Sequence, residues 1–294
     1  MDFIYWDTSL NNVILINLLI VIALFTCLRL FSGKIAHINA SEEILKKDNA
    51  AFGISVGGVT LALAIMLSGT LYGHPSGDLF HSALYVAGFG VLGVALMMLT
   101  RIIFDKFALP DISLRDEISK GNVAVAIADT ANVLAAAIII RSIMIWVTNN
   151  AYEDITVLLV AFIVSQIIMT LITYLRRRAF RFLHSNHRIQ EELKSGNIAL
   201  SLSFSGQKIA TAFAITIASN FDFFEVYDFK MVVLPWIIIS ICAVIVLKII
   251  TYIAERIIFF NITTMREIVD DRNIAVGALH AAIYISLGYL ISGL

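Results

Sequence analysis

The sequence predicts an all-α polytopic membrane protein with eight transmembrane helices, arranged as two tandem four-helix units built from four repeated hairpins. Hydrophobic residues fill 59% of the 294 positions and charged residues only 15%, whereas soluble domains run at roughly half and a quarter. Lysine and arginine fall almost entirely on alternate connectors between long apolar runs. A short Asn-Ala motif also returns at nearly constant spacing.

The apolar runs lie at 12–31, 52–72, 80–104, 122–147, 155–175, 197–219, 231–254 and 273–293. Each approximates the ~20 residues a helix needs to cross a bilayer, about twice the length of a barrel strand. Backbone amides in hydrocarbon must be satisfied within the segment, which selects helices. Before the first run stand Asp2 and Asp7 and no basic residue, so a cleavable signal is not expected and the run stays as a helix. The third and seventh runs continue amphipathically through 100–107 and 251–260, and are expected to project beyond the membrane.

Orientation follows from the basic residues. Arg29, Lys34, Lys46 and Lys47 lie between the first two runs, and Arg101, Lys106, Arg115 and Lys120 between the third and fourth. Six more, Arg176, Arg177, Arg178, Arg181, Arg188 and Lys194, follow the fifth, and Arg256, Arg266 and Arg272 follow the seventh. Lys230 is the one basic residue of the opposite connectors and ends, which carry Asp78, Glu153, Asp154, Asp222, Glu225 and Asp228. Seventeen against one places both termini on the outer face and four connectors in the cytoplasm.

Several function classes are disfavoured. A net charge of -1 and a pI of about 6.6 offer no broad basic surface for nucleic acid. Cys27 and Cys242 both lie in apolar runs and read as core packing; two thiols cannot complete a four-thiolate zinc site. No metal site and no obligatory cofactor are expected. The HExxH and GxxxxGK patterns do not occur, and GISVG at 53–57, though spaced as GxSxG, falls inside a membrane run and makes no nucleophile elbow, so an enzyme is not expected either. The glycine-rich stretch 53–58 falls inside a membrane run and reads as close helix packing.

Four cytoplasmic segments lead into outward-going runs with one plan: ILKKDNAAFGISVGG, EISKGNVAVAIADTA, ELKSGNIALSLSFSG and IVDDRNIAVGALHAA. Their asparagines are Asn49, Asn122, Asn197 and Asn273, spaced 73, 75 and 76 residues apart. Two positions on stand Ala51, Ala124, Ala199 and Ala275. Four positions on stand Gly53, Ala126, Ser201 and Gly277, and eight on stand Gly57, Thr130, Ser205 and Ala281. Spacings of four and eight share a helix side, so these small residues form a stripe that admits a neighbouring backbone. Each asparagine is placed to cap its helix, with coordination of a ligand or ion as the alternative. A two-helix period restores the same membrane orientation, which favours a pseudo-symmetry axis along the membrane normal. The larger division is 1–150 and 151–294, joined near Glu153 and Asp154.

The lysine-rich turn into Asn-Ala, seen in KKDNAAF at 46–52 and KGNVAVA at 120–126, the Gly/Ser/Ala helix after it, and the Arg101–Asp105 helix end resemble the YjfL-like bacterial inner-membrane family, also called domain of unknown function 350. Members resemble small four-helix membrane proteins, and this chain resembles a fused double copy. The resemblance implies a bacterial inner (cytoplasmic) membrane location and no particular activity.

The repeats differ in their polar groups. Seven residues after each asparagine stand Val56, Asp129, Phe204 and His280; eleven after stand Thr60, Val133, Lys208 and Tyr284. Charged groups at membrane depth need a partner or a wet cavity, and Asp129 with Lys208 is the simplest opposite-sign pair. Asp129, Asn132, Gln207, Lys208 and His280 therefore form the candidate site. One reading makes it the centre of an ion, proton or small-solute channel or transporter. The other makes it a structural buried polar network in a non-transporting scaffold or partner-binding protein. Arg141 is expected to carry its charge to the surface or to meet Glu153 or Asp154, Lys248 to carry its charge to water, Gln166 to bond between helices, and Asn220 to cap an end. Membrane lipids are the expected surroundings. A homo-oligomer and a cytoplasmic protein partner both stay open, the latter through Arg176, Arg177, Arg178 and Arg181 with His184 and His187.

Overall fold

The computed structural model describes residues 15–16, 18–24, 26, 40–72, 79–144, 151–183, 187–221 and 229–293. Its labelled elements are α1 (Ala40–Leu45), α2 (Ala50–Tyr72), α3 (Leu79–Ile103), α4 (Leu114–Ser119), α5 (Val123–Met144), α6 (Ala151–Leu183), α7 (Ile189–Lys194), α8 (Ile198–Thr216), α9 (Phe229–Ile258), α10 (Thr264–Val269) and α11 (Ile274–Ser292). Among the described residues seven helices are long and apolar enough to cross a membrane. The protein is all-α and polytopic. The expected run at 12–31 falls only partly within the described residues; 18–24 are helical, with Val21 and Leu24 packed on the core.

The four asparagine-led helices α2, α5, α8 and α11 stand side by side in that order, each packing most extensively on the next. The row is open: α2 and α11 share no extensive contact. The outer helices lie along its grooves, α3 against α2 and α5, α6 against α5 and α8, and α9 against α8 and α11. Small residues set this spacing. A methyl added at Gly277 would strike the Ala199 backbone, one at Gly288 the Ala210 backbone, and one at Gly206 the Ala281 backbone. Ser201 Oγ donates across to Ala124 O, and Thr130 Oγ1 to Ile54 O at 3.2 Å. Close backbone approach of this kind takes the place of a hydrophobic drive between helices in lipid.

The short helices α1, α4, α7 and α10 turn into the row through one kind of joint. The residue before each asparagine has left-handed backbone, at φ 47° for Asp48, 85° for Gly121, 79° for Gly196 and 49° for Arg272. Glycine adopts this without cost, whereas Asp48 and Arg272 carry the steric penalty of a side chain. Each asparagine Oδ1 then accepts a first-turn amide: Phe52 N at 3.1 Å, Val125 N at 3.2 Å, Leu200 N at 2.9 Å, and Ala275 N at 3.1 Å with Val276 N at 3.3 Å. Such a cap is worth about 1 kcal/mol.

The same side chains tie the row together. Each Nδ2 donates to a glutamate of its own short helix, Glu43, Glu117, Glu192 or Glu267. Asn49 Nδ2 also donates to Ile118 O at 3.0 Å, Asn122 Nδ2 to Leu193 O at 3.1 Å, and Asn197 Nδ2 to Ile268 O at 3.1 Å. Asn49, Asn122 and Asn197 thus each reach the carboxyl end of the next short helix. Outside the spans, Glu43 is held below the usual carboxylate range by hydrogen bonds from Lys47 and then Asn49; Glu117 is held low chiefly by Lys120.

Two expectations about single residues change. Cys242 is exposed on α9 and does not pack in the core, while Cys27 lies outside the described residues. Arg101 and Asp105, whose four-residue spacing would let them share a helix face, do not pair among the described residues. The chain widens into a π-type turn at Phe104–Ala108, and Asp105 Oδ1 accepts the Leu114 amide at 3.1 Å to start α4.

Candidate functional site

The expected polar residues separate into distinct grooves. Asp129, on α5, is 1% exposed and faces Arg101 of α3. The guanidinium donates through Nε to Asp129 Oδ1 at 3.1 Å and through its second nitrogen to Oδ2, with Ser55 of α2 donating to Oδ2 at 3.0 Å. Arg101 also donates to Ser55 Oγ at 2.7 Å, closing the triangle. Asp129 is therefore not paired with Lys208. Helix α3 delivers an arginine first, and that two-pronged contact satisfies the carboxylate.

Lys208, on α8 and 6% exposed, lies instead over the Phe104 ring, its Nζ 4.3 Å from the centroid and 3.4 Å from Thr173 Oγ1. Arg176 of α6 lies over the Phe204 ring at 4.7 Å and donates to Phe204 O at 3.1 Å. Lys248 of α9 does not carry its charge away to water. Its Nζ is 3.5 Å from Gln207 Oε1 and 5.2 Å from the Tyr284 centroid. These cations, with Gln207, Thr173 and Thr211, line a cavity of about 20 Å³. Among the described residues no carboxylate lies within ion-pair distance of Arg176, Lys208 or Lys248.

His280 of α11, buried, sits in a third groove. Its Nε2 is 2.8 Å from Glu255 Oε1, and its ring lies 4.8 Å from that of Tyr284. Asn132 is buried, and its Nδ2 has no partner among the described residues. Arg141 meets Ser68 Oγ at 2.9 Å; the side chains of Glu153 and Asp154, like His184, lie outside the described residues. Asn220 Nδ2 donates to Ser292 O at 2.9 Å, joining the ends of α8 and α11. Gln166 is buried, Arg177 donates to Ala108 O, and Arg178 and Arg181 are exposed. Among the described residues no three His, Cys, Asp or Glu side chains converge in a way that would hold a metal ion.

Sequence reading missed Arg101, Arg176 and Glu255 as members of these groups. A usable signal existed: Arg101 precedes Asp129 by 28 residues, and Arg176 precedes Phe204 by the same 28. Both arginines stand 21 residues before a repeat asparagine and meet the residue seven after it. In the second groove the carboxylate has been replaced by an aromatic ring. The arginine remains, joined by two lysines.

Comparison with curated proteins and with solved structures gives no match. A family model matches twice, over residues 5–144 and 150–294. The two matches cover nearly the whole chain and account for its internal repetition. The chain belongs to the family described as Domain of Unknown Function (DUF350), of which it carries two copies.

Proposed function

We propose that this is an eight-crossing bacterial inner-membrane protein that holds a small inorganic anion at Arg176, Lys208 and Lys248 and conducts or transports it across the bilayer. The observation that carries the reading is the cation cluster around the cavity, at the place where the preceding groove has an aspartate. Unpaired charge at membrane depth is costly, and an anion supplies the missing compensation. Glu255 contributes a negative field at Arg176 and Lys248, but one carboxylate does not balance three cations. A volume of about 20 Å³ admits a water or a monatomic anion and excludes a metabolite. The reading is non-enzymatic and needs no cofactor. The seventeen-to-one bias of basic residues supports both termini outside. Two four-helix units, 1–150 and 151–294, and four hairpins related about the membrane normal fit the open row of asparagine-led helices.

The test uses the full chain in liposomes. Chloride, nitrate and thiocyanate fluxes are compared with potassium and proton fluxes, for the native chain and for Arg176→Met and Lys208→Met. Anion flux that falls in both variants supports the reading. No flux, together with no anion-dependent rise in thermal stability, overturns it.

A second reading, the non-transporting scaffold with a structural polar network, is favoured by the closed Arg101–Asp129–Ser55 triangle. It predicts that neutral, shape-matched replacement of that triangle leaves folding and any partner association intact.

A further inference from the structure

We infer that the row of asparagine-led helices continues from one copy of the chain to the next, with α11 of one copy docking on α2 of its neighbour in a head-to-tail assembly. This stands independently of the anion site.

Three internal junctions, α2 with α5, α5 with α8 and α8 with α11, use the same positions. The leading helix offers the residues two, nine and thirteen places after its asparagine. These are Ala51, Gly58 and Ala62 in α2, Ala124, Ala131 and Ala135 in α5, and Ala199, Gly206 and Ala210 in α8, all buried. In α11 the corresponding residues are Ala275, Ala282 and Ser286, and all three are exposed. The following helix receives them with residues four and fifteen places after its asparagine. Those are Ala126 and Ala137 in α5, Ser201 and Ala212 in α8, and Gly277 and Gly288 in α11, again buried. In α2 they are Gly53 and Ala64, both exposed, as is Gly57 at the eighth place. Among the described residues nothing lies within 4 Å of a Cβ built at Gly53 or Gly57. One end of the row thus presents the face that the other end lacks.

The polar ladder is interrupted at the same two ends. The Nδ2 groups of Asn49, Asn122 and Asn197 each reach a carbonyl of the next short helix, whereas Asn273 Nδ2 bonds only Glu267 among the described residues. The acceptor position four residues before the asparagine is Ile118 in α4, Leu193 in α7 and Val269 in α10, the last accepting from Asn197 at 3.4 Å beside Ile268, and each is buried. In α1 it is Leu45, which is 78% exposed. A second copy placed by the internal rule covers Leu45, brings its carbonyl to Asn273, and seats Gly53 and Gly57 on Ala275 and Ala278. The contact joins two different surfaces, so it is heterologous: copies in the same membrane orientation close into a ring if the rotation closes, or extend if it does not.

The experiment is disulfide trapping in native membranes, with Cys27 and Cys242 replaced by alanine. Two differently tagged full-length chains are co-expressed, one carrying Gly57→Cys and the other Ala278→Cys. The corresponding internal contact, Ser205 Oγ to Ile127 O at 3.3 Å, sets the expected proximity, and an Ile127→Cys/Ser205→Cys chain is the positive control. Oxidation is expected to link the two tags, and a chain with both Gly57→Cys and Ala278→Cys is expected to give a ladder of multiples. Absence of linked tags while the control forms its bond overturns the inference. So does linkage of Gly57→Cys to itself, which indicates a two-fold pair, or to a cysteine placed within 12–31, which indicates that the chain's own first run covers the face. A Gly57→Leu chain provides a second readout. In lipid discs its mass should fall to a single copy while its melting temperature is retained; an unchanged mass of several copies also overturns the proposal.

Discussion

Two successive grooves of the row solve the same electrostatic problem in opposite ways. Arg101 meets a buried carboxylate and a hydroxyl that close around it, whereas Arg176 meets an aromatic ring, a carbonyl and two further cations. The first arrangement is complete in itself. The second has the donors without the negative charge. An identical 28-residue offset therefore gives a closed hydrogen-bonded triangle in one groove and a group of cations without a paired carboxylate in the other. A difference at one repeat position, Asp129 against Phe204, decides which.

Removing the carboxylate should break the first groove most severely. Asp129→Ala leaves the guanidinium facing a neutral groove. The loss is expected to be on the order of 3 kcal/mol, at the low end for a broken buried pair because the Arg101 side chain is 36% exposed. Thermal or denaturant unfolding in detergent measures it, and an unchanged midpoint would show that the triangle contributes nothing to the fold. The asparagine ladder provides the next largest contrast. Asn197→Ala removes a cap, a bond to Glu192 and the carbonyl contacts to α10, costing about 2 kcal/mol, whereas Asn273→Ala in an isolated chain loses about 1 kcal/mol. Equal losses would mean that the cross-repeat bonds are inert.

For the second groove the sign reverses. Lys208→Met keeps the stem over Phe104 and deletes a buried charge without a carboxylate, so stability should hold or rise by about 1 kcal/mol. Anion-dependent stabilisation should disappear in the same variant. A marked destabilisation would place Lys208 in a structural role like that of Arg101. The smallest effect concerns the short helices that lead into the row. Glu43 and Glu117 titrate below their unfolded values, so the folded chain binds fewer protons and stability falls as pH drops from about 5 through those lowered values. A Glu43→Gln/Glu117→Gln chain, which keeps an acceptor for each asparagine, should flatten that acid limb in a series of melts against pH.

Helix type and the repeat joints were legible because lipid leaves few options for a run of apolar residues, and an asparagine before such a run has an obvious orphan amide to satisfy. The side-chain pairings were not. Asp129 and Lys208 looked complementary by charge, but sequence carries no direct account of which outer helix fills which groove, and Arg101 on α3 reached Asp129 first. Lys248 misled similarly: its position near a helix end suggested escape to water, yet it turns toward Gln207. Cys242 shows the limit of hydrophobicity as a guide to burial, since in a membrane protein apolar residues face lipid as readily as the core.

The contact between α5 and α8 has a further consequence, because it joins the two family copies within one polypeptide. Between separate chains, such an association would follow mass action and loosen as the bilayer is diluted with lipid. A short connector gives the halves an effective concentration on the order of millimolar, so the middle of the row persists at any expression level. Contacts of the kind proposed for the outer edges of α2 and α11 would keep no such tether, and their occupancy would track how densely the membrane is populated.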